Sequence, residues 1–154
     1  HPFVSSEQYP KSFRVGRQDY YFRYNTGLQL QLVGESLIGW MAWDLMRGVD
    51  LLCSMDGVDK DRIVLIGSVA GGGDPAGVAA ALDPRIAAVA PCNVGGPHPA
   101  YAMPKDAENE FYYFGVAYWE TTRCLRLGGR DGFAHWTIVG SVAPRRLIYS
   151  FEFG

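Results

Sequence analysis

Apolar residues recur at spacings of three and four between residues 36 and 56, a pattern that predicts an amphipathic helix. The predicted buried face consists of Ile38, Met41, Leu45, Val49 and Leu52, widened by Trp40 and Trp43. Asp44, Arg47 and Asp50 lie three residues apart on the polar side, where they can form ion pairs. Three glycines, the first of them Gly34, each weaken this helix by about 1 kcal/mol relative to alanine. Glycines in a buried helix permit close packing, so we expect it to lie against a sheet.

Continuous apolar runs bounded by turn residues predict three strands, near residues 62–66, 85–91 and 146–151. Runs of this kind are typical of strands that are covered on both faces, as in a parallel sheet. Helical patterns at residues 76–82 and 133–142 separate the strands. The alternation of strand and helix therefore predicts an α/β domain with a parallel sheet and helices on both faces.

The first 27 residues are rich in arginine and aromatic residues, including the run from Asp19 to Tyr24. One interpretation is a nucleic-acid-binding segment, because interleaved arginine and tyrosine can stack on bases or sugars. The alternative is a strand or loop that packs over the core. The net charge of −2 at pH 7 favours the packed segment. Residues 93–110 form a connection rich in proline and glycine, which indicates a lid or binding segment, and residues 119–125 are predicted to be helical.

Composition narrows the class of protein. With 154 residues, 48% of them apolar and 19% charged, the chain is typical of one globular domain. A net charge of −2 gives no reason to expect nucleic acid or an anionic membrane as partner. No apolar run approaches the roughly 20 residues that span a bilayer. Cys53, Cys92 and Cys124 are widely spaced, so neither a metal site nor a disulfide framework is indicated, and no cofactor is expected.

The segment from Gly67 to Gly71 combines the end of a strand, a glycine turn and the start of a helix. This is the layout of the nucleophile elbow, G-x-S-x-G, in which a sharp turn lifts a serine hydroxyl above a sheet. Gly67 and Gly71 are predicted to lie where the turn leaves no room for a Cβ. Val69 occupies the serine position, and its aliphatic side chain has no lone pair to attack a carbonyl.

The glycine run after the elbow allows a second interpretation. Gly71 to Gly73 are similar to a phosphate-binding turn, but neither the G-K-[ST] sequence nor the G-x-G-x-x-G spacing is met. The elbow interpretation is therefore favoured. Asp74 is predicted to cap the following helix, with Pro75 at the first helical position. A carboxylate at that place would disfavour an oxyanion near the helix N-terminus.

Four stretches in order resemble the α/β-hydrolase superfamily, in particular its acetyl xylan esterase-like and glucuronoyl esterase-like branches. The first stretch, at 34–52, is G-E-S-L-I-G-W followed by W-D, R and D-L-L. The second is G-V-D-K-D-R-I at 57–63, and the third is L-D-P-R-I-A-A-V-A-P at 82–91. The fourth, at 131–147, is D-G-F-A-H followed by S-V-A-P-R-R-L. The resemblance implies a three-layer sandwich and a secreted or periplasmic location. It also implies that residues 1–154 are a fragment of a single domain, without its N-terminal strands and its C-terminal acid and histidine segment.

The resemblance implies roles for individual residues. The family's serine stands eight positions after the aspartate of D-R-I, which is Asp61 here, and this register again selects Val69. Ser68 is one place early and is interpreted as a turn serine that bonds local backbone. The triad order in this fold is serine, acid, histidine, and no histidine follows the candidate acid Glu152. The candidate residues are Ser68 and Glu152 for catalysis, the N–H of Ala70 as oxyanion donor, and His135, Trp119, Trp136 and Tyr101 for substrate binding.

Two functions agree with these residues. The first is a carboxylic ester hydrolase related to enzymes that act on acylated plant polysaccharides, with its serine mechanism interrupted at Val69. The second is a non-catalytic protein of the same fold that binds carbohydrate or has a structural role. A small-molecule or carbohydrate ester is the expected ligand in either case. We also expect the chain to self-associate, because three or four strands leave an open sheet edge and a bare face.

Overall fold

The computed structural model describes residues 18–92, 94, 131 and 135–150, with side chains from residue 25 onward except at positions 69, 70 and 135. The elements in chain order are α1 (Gln18–Leu32), α2 (Leu37–Ser54), a 3-10 turn (Lys60–Arg62), β1 (Ile63–Gly67), α3 (Val69–Leu82), β2 (Ile86–Pro91), α4 (His135–Gly140) and β3 (Arg146–Leu147). The predicted helix at 36–56 and the first two predicted strands are confirmed, and the third, predicted at 146–151, is a strand over Arg146–Leu147, so the described part is a mixed α/β structure.

The three strands form one parallel sheet in the order β1-β2-β3. Leu65 pairs with Val89 across β1 and β2, and Val89 pairs with Leu147 across β2 and β3. An isolated parallel bridge between Cys92 and Ser150 continues the second pairing beyond the strands. The predicted parallel arrangement is confirmed for these strands.

The core lies between the sheet and a layer of helices on one of its faces. Its buried members are Ala42, Val49, Ile63, Ala76, Ala79, Ala80, Ile86, Val89 and Val142. Helix α3 is central in this layer, because it contacts α2, α4, β1 and β2. Three alanines of α3 are almost completely buried, and their small side chains bring the helix close to the sheet.

The opposite face of the sheet is exposed. Val64 and Ile66 of β1 are 56% and 77% exposed, and Ile148 beyond β3 is 71% exposed. Within the described residues, β1 is therefore covered on one face only. Right-handed crossovers that advance in one direction across a sheet place their helices on the same face, and α3 and α4 contact each other on that face. The described residues thus form two layers, and the third layer of the sandwich stays a prediction.

Helix α2 buries a narrower face than its sequence predicts. Its N-cap is Ser36, whose hydroxyl oxygen accepts a hydrogen bond from Gly39 N (3.1 Å). The predicted inward residues Ile38, Met41 and Val49 are buried and Leu45 is partly buried, whereas Leu52 is 40% exposed. Trp40 and Trp43 are each 57% exposed and do not widen the buried face as predicted. The tryptophans interact with polar neighbours instead: Trp40 Nε1 donates to Glu35 (3.2 Å), and the Arg47 guanidinium lies 4.2 Å from the Trp43 ring centre.

The segment before α2 differs from its prediction. Residues 18–27 belong to helix α1, not to a strand or loop. The helix begins before the aromatic run at 20–24 and continues through Leu30 and Gln31, residue types that favour helix. Gly34 lies beyond the end of α1 with a positive φ of 86°. Its N–H donates to Gln31 O, and Glu35 N donates to Leu30 O, which is the Schellman arrangement. Gly34 therefore terminates α1 and does not weaken α2.

Candidate functional site

The turn between β1 and α3 has the predicted layout of strand, sharp turn and helix. β1 ends at Gly67, and Ser68 is the N-cap of α3, with an extended backbone (φ −128°, ψ 144°). Val69 is the first residue of the helix. The elbow therefore stands at the carboxyl end of a parallel strand, which is the end where α/β sheets bind ligands.

Gly67 is required by the close approach of α3 to the end of β1. A Cβ on Gly67 would overlap the carbonyl group of Gly72 and would lie 2.8 Å from the Cβ of Ala76. No residue with a side chain fits there without movement of the backbone. The predicted need for glycine at this position is confirmed.

Gly73 is a second site of close approach, which the sequence analysis did not identify. A Cβ on Gly73 would overlap the carbonyl oxygen of Cys92, at the end of β2. The run of three glycines was the signal, but it was interpreted only as a turn. The glycine-rich segment instead forms the first turns of α3 and packs directly on main chain.

Asp74 and Pro75 do not begin the helix. Both lie inside α3, with five helical residues before Asp74, so the predicted N-cap at Asp74 is wrong. Asp74 is completely buried. Pro75 has no N–H to donate to the carbonyl oxygen of Gly71, four residues earlier, yet α3 continues past it to Leu82. The glycine run therefore belongs to the helix, and the cap moves back to Ser68.

The hydroxyl of Ser68 makes no helix-capping hydrogen bond, although the residue is in the N-cap position. A local backbone bond of the capping kind is therefore not formed by Ser68. The residue is exposed at the tip of the elbow. At this residue the backbone changes from the extended N-cap conformation to the helix.

The main chain supplies hydrogen-bond donors at the same point. Ala70 is the second residue of α3, and the N–H groups in the first turn of a helix have no acceptor within that helix. The helix dipole also favours negative charge at this end. This position is compatible with the predicted role of Ala70 N–H as an oxyanion donor.

The ends of the three strands meet beside the elbow. Cys92 N donates to Gly67 O (2.8 Å), and Cys92 forms the parallel bridge with Ser150. Cys92 is a free cysteine and is partly buried. Glu152 follows Ser150 by two residues and lies outside the described residues. The structure thus brings the end of β3 to the edge where the resemblance places the triad acid.

The predicted substrate-binding residues fall on different parts of the chain. His135 and Trp136 begin α4, which contacts α3, and the Trp136 side chain is 52% exposed. Trp119 and Tyr101 lie outside the described residues, as do the predicted lid at 93–110, apart from Val94, and the predicted helix at 119–125.

A charged network occupies the amino end of the sheet, opposite the elbow. The buried Asp83 accepts hydrogen bonds from Arg85 N (3.0 Å), Nε (2.9 Å) and Nη2 (2.6 Å). Arg85 Nη1 donates to Asp50 Oδ1 (2.7 Å), and Asp50 also pairs with Arg47 (2.6 Å), as predicted. Arg145 Nη1 donates to the carbonyl oxygen of Asp83 (3.0 Å). Sequence reasoning missed this network, although the D-P-R sequence was part of the resemblance.

The network changes the acidity of its members. The hydrogen bonds that Arg85 donates lower the pKa of Asp83, and they outweigh the opposing effect of burial. The same hydrogen bonds, together with those to Asp50, raise the pKa of Arg85. Asp83 and Arg85 therefore stabilise the folded arrangement in their charged forms, and they lie at the end of the sheet away from the elbow. Their role is therefore structural.

A shallow groove of about 480 Å³ also lies at the amino end of β1, lined by Leu52, Val58, Asp59, Arg62, Ile63 and Val64. The described side chains include no group of three or more metal-ligating residues. None of the described helices is both long and apolar enough to cross a membrane.

Comparison of the chain with protein families, with curated proteins and with solved structures found no match.

Proposed function

We propose that this chain is an α/β-hydrolase-like protein, related to esterases of acylated plant polysaccharides, in which the serine mechanism does not operate. The observation that supports this proposal is the position of Val69, which begins α3 directly after the strand-to-helix turn. The requirement for Gly67 in that turn agrees with the elbow interpretation.

Ester hydrolysis by this fold starts when a histidine removes the proton from a hydroxyl that attacks the ester carbonyl. Val69 has no hydroxyl. Ser68 has one, but it stands one position before the helix begins. In the proposed protein, the N–H of Ala70 binds the carbonyl oxygen of an ester, and no nucleophile attacks it. Within residues 1–154 the histidines are His1, His98 and His135, and all three precede Glu152.

The test is hydrolysis of p-nitrophenyl acetate by the wild-type chain and by Ser68→Ala, Val69→Ser and Val69→Ala. We expect all four proteins to hydrolyse the ester at the same background rate. Val69→Ser restores a hydroxyl but no histidine base, and Val69→Ala controls for the change in volume. Thermal unfolding of each variant shows that it is folded.

Labelling with a fluorophosphonate, followed by mass spectrometry of the peptide around residue 69, gives a second readout. Wild-type turnover that disappears in Ser68→Ala, with label on Ser68, would show that Ser68 is the nucleophile and would overturn the proposal. Turnover gained in Val69→Ser alone would show that a base is already in place and that only the hydroxyl is missing.

A second candidate function is carbohydrate binding without catalysis. The exposure of Trp136 at 52%, on a helix that contacts α3, supports it, because indole rings stack on sugar faces. Titration with acetylated xylo-oligosaccharides tests this function. We expect Trp136→Ala to lose binding and Trp43→Ala, which removes a comparably exposed tryptophan from α2, to retain it. Equal affinity of both variants would count against a sugar site at Trp136.

A further inference from the structure

The turn that connects α2 to β1 contains an aspartate followed directly by a glycine. Helix α2 ends at Ser54, and the 3-10 turn that precedes β1 begins at Lys60. Asp56 and Gly57 lie between them, and both are exposed. Gly57 has a positive φ of 80°, a conformation that glycine adopts without steric cost. The pair therefore belongs to an exposed turn of the kind that glycine makes possible.

The carboxyl group of Asp56 and the main-chain nitrogen of Gly57 are both without a partner. In the part of the chain that the structure describes, the Asp56 side chain accepts no hydrogen bond and forms no ion pair. The Gly57 N–H likewise donates to no acceptor there. A Cβ built on Gly57 would meet no atom within 4 Å, so the space beside this residue is open. No contact with the described residues therefore holds the carboxyl group away from the neighbouring nitrogen.

We propose that this pair is a site of spontaneous modification, at which Asp56 isomerises to isoaspartate. The Gly57 nitrogen attacks Cγ of the protonated carboxyl group, and a bond forms between these atoms. The carboxyl hydroxyl leaves as water with the amide proton, which closes a succinimide ring. Water then opens the ring at either carbonyl carbon by breaking its bond to nitrogen. Opening at the main-chain carbonyl gives isoaspartate, and opening at Cγ restores aspartate, so water is the only other reactant.

The neighbouring aspartates lack the properties that this reaction needs. Asp50 lies inside α2, where main-chain N–H groups are hydrogen-bonded, and its carboxylate pairs with Arg85 (2.7 Å). Asp59 accepts a hydrogen bond from Asp61 N (3.1 Å), which holds its carboxylate in the cap of the 3-10 turn. Neither residue is followed by glycine, so the side chain of the next residue crowds the nitrogen that would attack. Within this stretch, the reaction should therefore select the turn.

Isomerisation changes the main chain at the amino end of the sheet. Isoaspartate adds a methylene group to the main chain and leaves its carboxylate attached directly to Cα, with the charge unchanged. The turn continues through Val58 and Asp59, which line the groove at the start of β1. The elbow lies at the other end of β1, after Gly67. The modification should therefore alter the groove and leave the elbow in place, and it does not depend on the proposed function.

Incubation of the full chain near neutral pH, followed by tryptic digestion and electron-transfer fragmentation, measures the reaction. The peptide of residues 48–60 contains Asp50, Asp56 and Asp59, so two of its aspartates are internal controls. We expect isoaspartate at Asp56 alone, at a rate within about ten-fold of that in the urea-unfolded chain, because ring closure needs no local unfolding. A slower reaction in the folded chain would show that the fold protects the pair, and it would overturn the proposal. Equal modification of Asp50 or Asp59 would overturn the selectivity of the turn.

Substitutions at Asp56 test the chemistry. Asp56→Asn closes the same ring with loss of ammonia, so it should form isoaspartate faster than the wild-type chain. Asp56→Glu needs a larger ring and should form no such product, and thermal unfolding shows that both variants are folded. In water enriched in heavy oxygen, the wild-type product should carry the label, because water opens the ring. An unlabelled product, or equal modification of the Asp56→Glu chain, would overturn the proposal. The other Asp-Gly pair, at 131–132, lies in a different tryptic peptide and is measured separately.

Discussion

The two ends of the sheet are held together by different interactions. At the carboxyl end, α3 packs directly on main chain, and a side chain at Gly67 or Gly73 would overlap a neighbouring carbonyl group. At the amino end, the buried carboxylate of Asp83 is held by hydrogen bonds from Arg85. Packing determines the geometry of the first end, and charge determines that of the second.

This difference has consequences for function and stability. The steric contacts of α3 with the ends of β1 and β2 involve no titratable group, so they do not depend on pH or salt concentration. The network at the other end responds to protonation of Asp83, because the hydrogen bonds from Arg85 stabilise the charged form of that carboxyl group. Substitutions at the two ends should therefore differ in size of effect and in dependence on pH.

The largest effect is expected for Gly67→Ala. The new Cβ would overlap the Gly72 carbonyl and meet the Ala76 side chain, so α3 must move away from β1. We expect a loss of more than about 3 kcal/mol in the free energy of unfolding, measured by urea denaturation. A loss below about 1 kcal/mol would show that the close approach of α3 is not present in solution.

An intermediate effect is expected for Asp83→Asn. The amide keeps the shape of the side chain but loses the charge that accepts from Arg85, so the free energy of unfolding should fall by about 1–3 kcal/mol. Asp44→Asn is the control, because Asp44 is exposed on α2 and should change stability by less than about 0.5 kcal/mol. Equal effects of the two substitutions would show that the charge of Asp83 does not stabilise the amino end of the sheet.

The contribution of Asp83 should depend on pH. Its pKa in the folded chain is lowered from the ordinary value of 3.8, so its stabilising effect is fully present above that value and is lost as pH falls through the lowered pKa. We expect the difference in unfolding free energy between wild type and Asp83→Asn to be constant from about pH 5 to 7 and to shrink below about pH 4. Gly67→Ala should show no such dependence relative to wild type, and a parallel decline in both would contradict the comparison.

The smallest effect is expected for Gly48→Ala. A Cβ at Gly48 of α2 meets no atom within 4 Å, so the substitution removes only the cost of glycine in a helix. Stability should rise by up to about 1 kcal/mol, measured as a shift in the urea midpoint. A decrease would indicate a contact at α2 that the structure does not contain.

The fold was predictable to the extent that local periodicity encodes it. The spacing of apolar residues gave the position of α2 to within two residues at each end, and the apolar runs gave the places of the strands in a parallel sheet. Burial was less predictable. Trp40, Trp43, Val64 and Ile66 all have apolar character, and each is more than half exposed, because burial depends on which element packs against a residue.

The candidate site was predictable where backbone geometry follows from composition. The turn at Gly67 and the place of Val69 agree with the motif. The start of α3 was not predictable from local rules, because Asp and Pro are typical of a helix N-terminus and here lie inside the helix. Contact between Gly73 and the end of β2 joins residues far apart in sequence, and no local pattern reports it.

By itself, the sequence determined the alternation of strand and helix, the parallel sheet and the aliphatic residue at the elbow, because these depend on residue type and short-range spacing. Only the tertiary structure decided which sheet face is bare, where α3 begins and which charges meet. Asp50 and Arg85 are 35 residues apart and pair at 2.7 Å because α2 packs against α3, which brings Asp50 to the residue before β2. Such contacts arise from packing between elements, and periodicity within one element carries no information about its neighbour.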